Sequence, residues 1–229
     1  MFFWDYTFFL LIPPLILAGY AQQKVKSTFH RFSQILASSR RTAAEVARSI
    51  LDQAGIDDVR VEKVPGQLSD HYDPRKKVLR LSENVYSSSS LAALGVAAHE
   101  AGHALQHHQG YTPLYLRNAI YPVANLGSSL AFPLFFIGFL FSSQGPSILM
   151  DLGILLFVGA VAFSVITLPV EFNASNRALK ILYQGGYLRE KELEGARQVL
   201  KAAALTYVAA TAMALMQLLR LFLLRESRR

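Results

Sequence analysis

His99, Glu100 and His103 form an H-E-x-x-H pentapeptide inside Leu91–Gln109, LAALGVAAHEAGHALQHHQ. On an α-helix, residues four apart lie on one face, one turn above the other. The two imidazoles can therefore share one metal ion. Zinc is the expected metal, because neutral imidazoles suit it and a catalytic zinc usually takes three protein ligands plus a water. Glu100 follows His99 at the edge of that face. There its carboxylate can reach the water on the metal and take its proton as general base. The flanks suit a helix. Serines at 87–90 offer N-caps, Ala and Leu fill the interior, and Gly110 is placed to end it.

The pentapeptide supplies two ligands, so a third must come from elsewhere. One solution is a histidine six residues on, as H-E-x-x-H-x-x-G-x-x-H. Here Gln106 stands at the glycine and Gln109 at the histidine, so that pattern fails. His107 continues the stripe, but it lies about 12 Å along the helix axis from His99, too far to share an ion. His107 and His108 suit a polar helix end, where positive character is favoured. The other solution is a later glutamate. The acids after His103 are Asp151, Glu171, Glu190, Glu192, Glu194 and Glu226. Asp151 starts an apolar run, Glu190–Glu194 fall in a charged run that suits a solvated face, and Glu226 is in the tail. Glu171 alone opens an otherwise apolar helical stretch, PVEFNASNRALKILY, and is the preferred third ligand.

These residues must be positioned by a chain of unusual composition. Hydrophobic residues make up 52% of the 229, and the mean hydropathy of +0.27 suits a membrane protein better than a soluble domain. The absence of cysteine excludes disulfides and a cysteine zinc finger. The formal charge of +7 sits next to apolar segments. It is therefore assigned to the anionic lipid of a bilayer and not to nucleic acid.

Residues 1–20 form the first apolar segment. Lys24 and Lys26 follow it and no basic residue precedes it, the reverse of a signal peptide. It is expected to be an anchor kinked by Pro13-Pro14, with Trp4 and Tyr6 at the interface. Helical spacing follows over 24–55, with Gly55 as a stop. Strands are expected at Asp58–Val64 and Lys77–Ser82, with a turn at Asp73-Pro74. Apolar runs at 118–141 and 148–168, joined by SSQGPS, make a transmembrane hairpin. Pro169 is expected to begin a new helix. Residues 189–201 form a charged helix, and 202–224 is a fourth apolar segment interrupted by Arg220.

The expected architecture is a mainly α integral membrane protein with about four transmembrane helices, a zinc-peptidase domain and a small β element. Its parts are an anchor at 1–20, a metallopeptidase domain at 21–118, a hairpin at 119–168, a third-ligand helix and a charged helix at 169–201, and a transmembrane or membrane-packed helix at 202–224. Of the 23 Lys and Arg, 13 lie in 21–118 and six in 169–201, with none in 1–20. By the positive-inside rule both basic stretches face the cytoplasm, and both termini lie outside. The basic tail from Arg220 to Arg229 opposes this placement.

DHYDPRKKVLRLSENVY, SSSSLAALGVAAHEAGHALQ and LPVEFNASNRA occur in that order. Through them the chain resembles the YugP-type membrane zinc metallopeptidases over nearly its whole length. The resemblance implies one zinc per chain held by His99, His103 and Glu171, with Glu100 catalytic, in a gluzincin-like domain. It implies a bacterial plasma membrane location and a polypeptide substrate. The related HtpX and Ste24 types carry an Asp four residues after the glutamate to steady a histidine; here that position is Ser175. In zinc peptidases of the thermolysin and related types, an edge strand before the active-site helix binds the substrate backbone, a role open to Lys77–Ser82. His71, Tyr72, Tyr183 and Tyr187 are candidates for the oxyanion donor by residue type only. Two other readings stand beside the endopeptidase: an intramembrane, site-2-like protease, and a non-catalytic membrane scaffold that retains a zinc site.

Overall fold

The computed structural model describes residues 6–142 and 145–228. Trp4, part of the 142–147 turn and Arg229 lie outside them. The chain is mainly helical, with a small mixed sheet and four helices long and apolar enough to cross a membrane. Two compact units form. One takes the described residues of 1–21, 115–169 and 206–229; the other takes 22–114 and 170–205.

The apolar unit is built from parts of α1 (Ile12–Ser33), α5 (Thr112–Phe141), α6 (Ile148–Gln184) and α7 (Glu190–Glu226). A 3-10 turn at Tyr6–Leu11 leads into α1. Pro13 and Pro14 fall in the first turn of α1, where N–H groups have no intrahelical acceptor to lose. Phe135, Met150, Ile154 and Leu221 form the core here. Glycines let backbones approach: a Cβ on Gly153 would lie 2.6 Å from the Ala131 carbonyl oxygen.

Two expected boundaries are absent. α6 runs through Pro169 without a break, so the third hydrophobic run and the Glu171 segment are one helix. α7 likewise joins the charged stretch to the last apolar segment and passes Arg220. Arg220 donates to Thr7 Oγ1 at 3.2 Å and lies over the Phe8 ring, which gives this half-buried cation partners. Asp151 pairs with Arg225, and Thr211 donates to the Ser164 carbonyl at 3.3 Å. α7 therefore runs antiparallel to α6 along this unit and continues past Arg220 without a break.

The second unit holds α2 (Ala43–Gln53), three strands, the short α3 (Glu83–Tyr86) and α4 (Leu91–His108). Thr42 and Glu45 form a reciprocal capping box on α2. Gly55, at φ +68°, takes the left-handed position that ends it. Val46, Ala47, Ile50 and Leu51 of α2 pack in one core with the α4 residues Leu94, Ala97 and Ala101.

The sheet order is β1 (Arg60–Val64), β3 (Val78–Ser82), β2 (His71–Asp73). β1 pairs parallel and β2 antiparallel with β3. The strand at Lys77–Ser82 is thus central, and its backbone is paired on both sides; it is not the edge strand considered for substrate. The reason lies in its side chains. Val78, Leu79, Leu81 and Ser82 are all buried, whereas β1 carries Arg60 and Lys63 to solvent. Of the two edge strands, β2 is the one packed beside α4.

Candidate metal centre

α4 begins where Ser90 Oγ accepts from the Ala93 N–H at 3.2 Å. It ends in a Schellman motif: Gly110, at φ +67°, and Tyr111 donate back to the carbonyls of His107 and Gln106. Both signals stand where the sequence places them. Gly102 of this helix faces Ala174 of α6. A Cβ there would lie 2.8 Å from the Ala174 carbonyl oxygen. The small residue inside H-E-x-x-H is what lets Glu171 approach the two histidines.

His99 Nε2 and His103 Nε2 are 3.2 Å apart. Glu171 Oε2 lies 3.3 Å from the first and 3.4 Å from the second. Ligand atoms bound to zinc at about 2.0–2.1 Å with tetrahedral angles stand about 3.3 Å from one another. All three edges match, so the residues fit a zinc ion. Among the described residues these are the His, Asp and Glu side chains that converge closely enough to hold a metal. His107 is not among them, as the axial rise requires.

The outer nitrogens of both rings are also tied. His103 Nδ1 lies 3.0 Å from Gln106 Oε1, and His99 Nδ1 lies 3.1 Å from Ser175 Oγ. Gln106 thus backs the outer nitrogen of His103, and the inner Nε2 faces His99 and Glu171. Ser175 occupies the place of the expected Asp and makes the expected contact with a shorter, neutral group. Gln106 was legible only as the residue that breaks a three-histidine pattern. Its signal was its position three residues beyond His103, which on a helix reaches the same ring.

Charge collects at this site. Burial lowers the His103 pKa. The bond to Glu171 and the charges of Glu100 and Glu171 outweigh burial and hold it above the ordinary histidine value in the metal-free protein. Glu100 is itself buried, one residue beyond His99 on α4.

The candidate oxyanion donors separate. The Tyr187 hydroxyl is held by Ser49 at 2.7 Å and Gln53 at 3.0 Å in the core beside α2. Tyr183 is twelve residues beyond Glu171 on α6, about 18 Å along the axis. Neither can serve. His71 Nδ1 contacts the Ser69 carbonyl, and its Nε2 lies 3.2 Å from Arg80. Tyr72, on β2, bonds His107 Nδ1 at 2.9 Å, which places it along the metal-facing stripe of α4. Glu192 is partly exposed and also tied: it accepts from the Ser38 N–H and the Arg189 N–H, each at 2.8 Å.

Residues 7–226 match a protein family described as "putative neutral zinc metallopeptidase". The chain is 53% identical over 212 residues to a Bacillus subtilis (strain 168) protein named "putative membrane protease YugP", covering 93% of each. No solved structure matches.

Proposed function

Since the chain belongs to this neutral zinc metallopeptidase family, we propose that it is a membrane-anchored zinc endopeptidase with one zinc held by His99, His103 and Glu171. The observation that carries this reading is the triangle of ligand atoms, 3.2, 3.3 and 3.4 Å on its edges, drawn from the H-E-x-x-H helix and one later glutamate. Zinc at that point would supply a Lewis acid for the scissile carbonyl and would acidify a water molecule. The Glu100 carboxylate takes the proton of the attacking water and returns it to the leaving amine. A binding group alone would have no use for that carboxylate, which speaks against a non-catalytic scaffold. Ser175 and Gln106 hold the histidine rings so that both Nε2 atoms face one point. The outer edge of β2, beside α4, is the place for an extended substrate to pair through its backbone, and Tyr72 on that strand is the remaining candidate tyrosine suited to the oxyanion.

In this reading the second unit, 22–114 with 170–205, is a gluzincin-like peptidase domain, and the four apolar helices anchor it. α4 is not among the helices long and apolar enough to span, which favours a site outside the bilayer over an intramembrane one. The charge distribution orients the site toward the cytoplasm of a bacterial plasma membrane. Arg225 and Arg220 are satisfied by Asp151 and Thr7, which weakens the objection from the basic tail. The test is hydrolysis of an unfolded protein by detergent-purified enzyme. Cleavage should stop with a zinc chelator and return with zinc; cleavage indifferent to both would refute the proposal.

A further inference from the structure

The hydrogen bonds behind His103 form a chain with a fixed direction. Gln106 is fully buried, and all its polar contacts are internal. Its Nε2 donates to the Val170 carbonyl at 2.8 Å and to Asn173 Oδ1 at 2.9 Å. Asn173 Oδ1 also accepts from Arg177 Nε at 2.7 Å. Arg177 reaches on to Gln109 Oε1 and lies over the Tyr111 ring, at the end of α4.

An amide can usually be turned end for end, because its oxygen and nitrogen have nearly the same shape. Here neither amide is free to turn. Guanidinium only donates, so Arg177 must face the oxygen of Asn173. That oxygen then needs a donor from Gln106. The Val170 carbonyl, which only accepts, makes the same demand from a second direction. Gln106 is therefore left with its oxygen toward His103, and that oxygen needs an N–H. We infer that Gln106, with its direction set by Asn173, Arg177 and the Val170 carbonyl, is the positioning residue that holds His103 as the Nδ1–H tautomer with its Nε2 free for the metal. The same amide bonds the residue next to Glu171, so it keeps two ligands from two helices in register. A neutral amide does here what a carboxylate does in many zinc sites, and the cation that polarises it stands two bonds away.

The inference rests on the zinc reading of the site. It is tested by chelator competition for zinc on the detergent-purified full chain. A second readout is the His103 Nδ1 proton in the cobalt-substituted protein, followed by NMR. Gln106→Met keeps length and removes both hydrogen-bonding ends. It should weaken zinc by about 10–100-fold and expose the Nδ1 proton to rapid exchange. Asn173→Leu should weaken zinc by about tenfold, whereas Asn173→Asp, which keeps the acceptor for both Arg177 and Gln106, should stay within about twofold of the parent. The Asn173 pair keeps the test open if Gln106→Met does not fold. Zinc affinity within twofold in both Gln106→Met and Asn173→Leu would overturn the inference. So would equal loss in the Asp and Leu variants, because packing and not the acceptor would then be at work. His103→Ala separates the two levels. If it also keeps zinc, the site reading itself fails; if it alone loses zinc, only the positioning role fails.

Discussion

Gly102→Ala changes one hydrogen to a methyl group at the point where α4 meets α6. The added carbon would meet the Ala174 carbonyl oxygen at 2.8 Å and the Ala174 carbonyl carbon and Cα at 3.4 Å. Ordinary contact begins at 3.4 Å, so the helices must part by about 0.6 Å (3.4 − 2.8). Backbone cannot rotate away as a flexible side chain can. If the shift falls along the line to the metal, the edges from Glu171 to the histidines grow from 3.3 and 3.4 Å to about 3.9 and 4.0 Å. A tetrahedral zinc site needs about 3.3 Å. Overpacking costs about 1–3 kcal/mol. The gain in helix propensity from Gly to Ala returns about 1 kcal/mol. The fold should therefore survive, with a loss of stability of at most about 2 kcal/mol. Zinc affinity should fall by on the order of tenfold or more, the scale seen when ligand positioning is disturbed. Thermal melting with and without zinc, beside chelator competition, separates the two effects. Gly95→Ala is the control: its added carbon meets the Ala196 side chain of α7 at 3.3 Å, away from the α6 helix that carries Glu171. A Gly102→Ala protein that binds zinc as tightly as the parent would refute the link between that contact and the site.

Four further outcomes are expected. Glu171→Ala should lose zinc far more than Glu190→Ala, as read by metal analysis; full occupancy in Glu171→Ala means a differently built site. Glu192→Ala should lower the melting temperature without releasing zinc, since its carboxylate ties Ser38 and Arg189. The raised pKa of His103 means that protons compete with the metal from above the usual histidine range downward. Zinc retention should fall as the pH drops through that raised value, and titration with a metal indicator would show it; retention unchanged well below the usual range would contradict it. Single-cysteine labelling in this cysteine-free chain reports topology. Ser143→Cys and Ser227→Cys should react with an impermeant reagent in intact cells and Ser87→Cys should not, and the reverse pattern would overturn the cytoplasmic site.

The sequence was most informative where one residue type has one use. The spacing of His99 and His103, the cap at Ser90 and the glycine after α4 each answer a local demand of a helix. The acids after His103 were few enough for elimination to single out Glu171. It was least informative where a local signal competes with tertiary structure. Pro169 resembles a helix start, and the change from charged to apolar residues near 201 resembles a boundary. Yet α6 and α7 continue through both, because a long helix can pass from one packing environment to another without breaking. Strand order was hidden as well. β3 is the last strand before α4 in sequence, but its apolar residues draw it to the centre of the sheet and leave β2 at the edge. Gln106 shows a third kind of silence. Its residue type favours no chemistry, and its role follows only from the donors and acceptors that surround it.

The central claim is that the H-E-x-x-H helix hydrolyses peptide bonds through Glu100 at a zinc held by His99, His103 and Glu171. Glu100→Gln tests it most directly, because the amide is nearly isosteric with the carboxylate yet cannot accept the proton. Zinc content and cleavage of an unfolded protein are measured on the same purified sample. One zinc per chain is expected, as in the parent, with hydrolysis abolished. Turnover near that of the parent in this variant would contradict it.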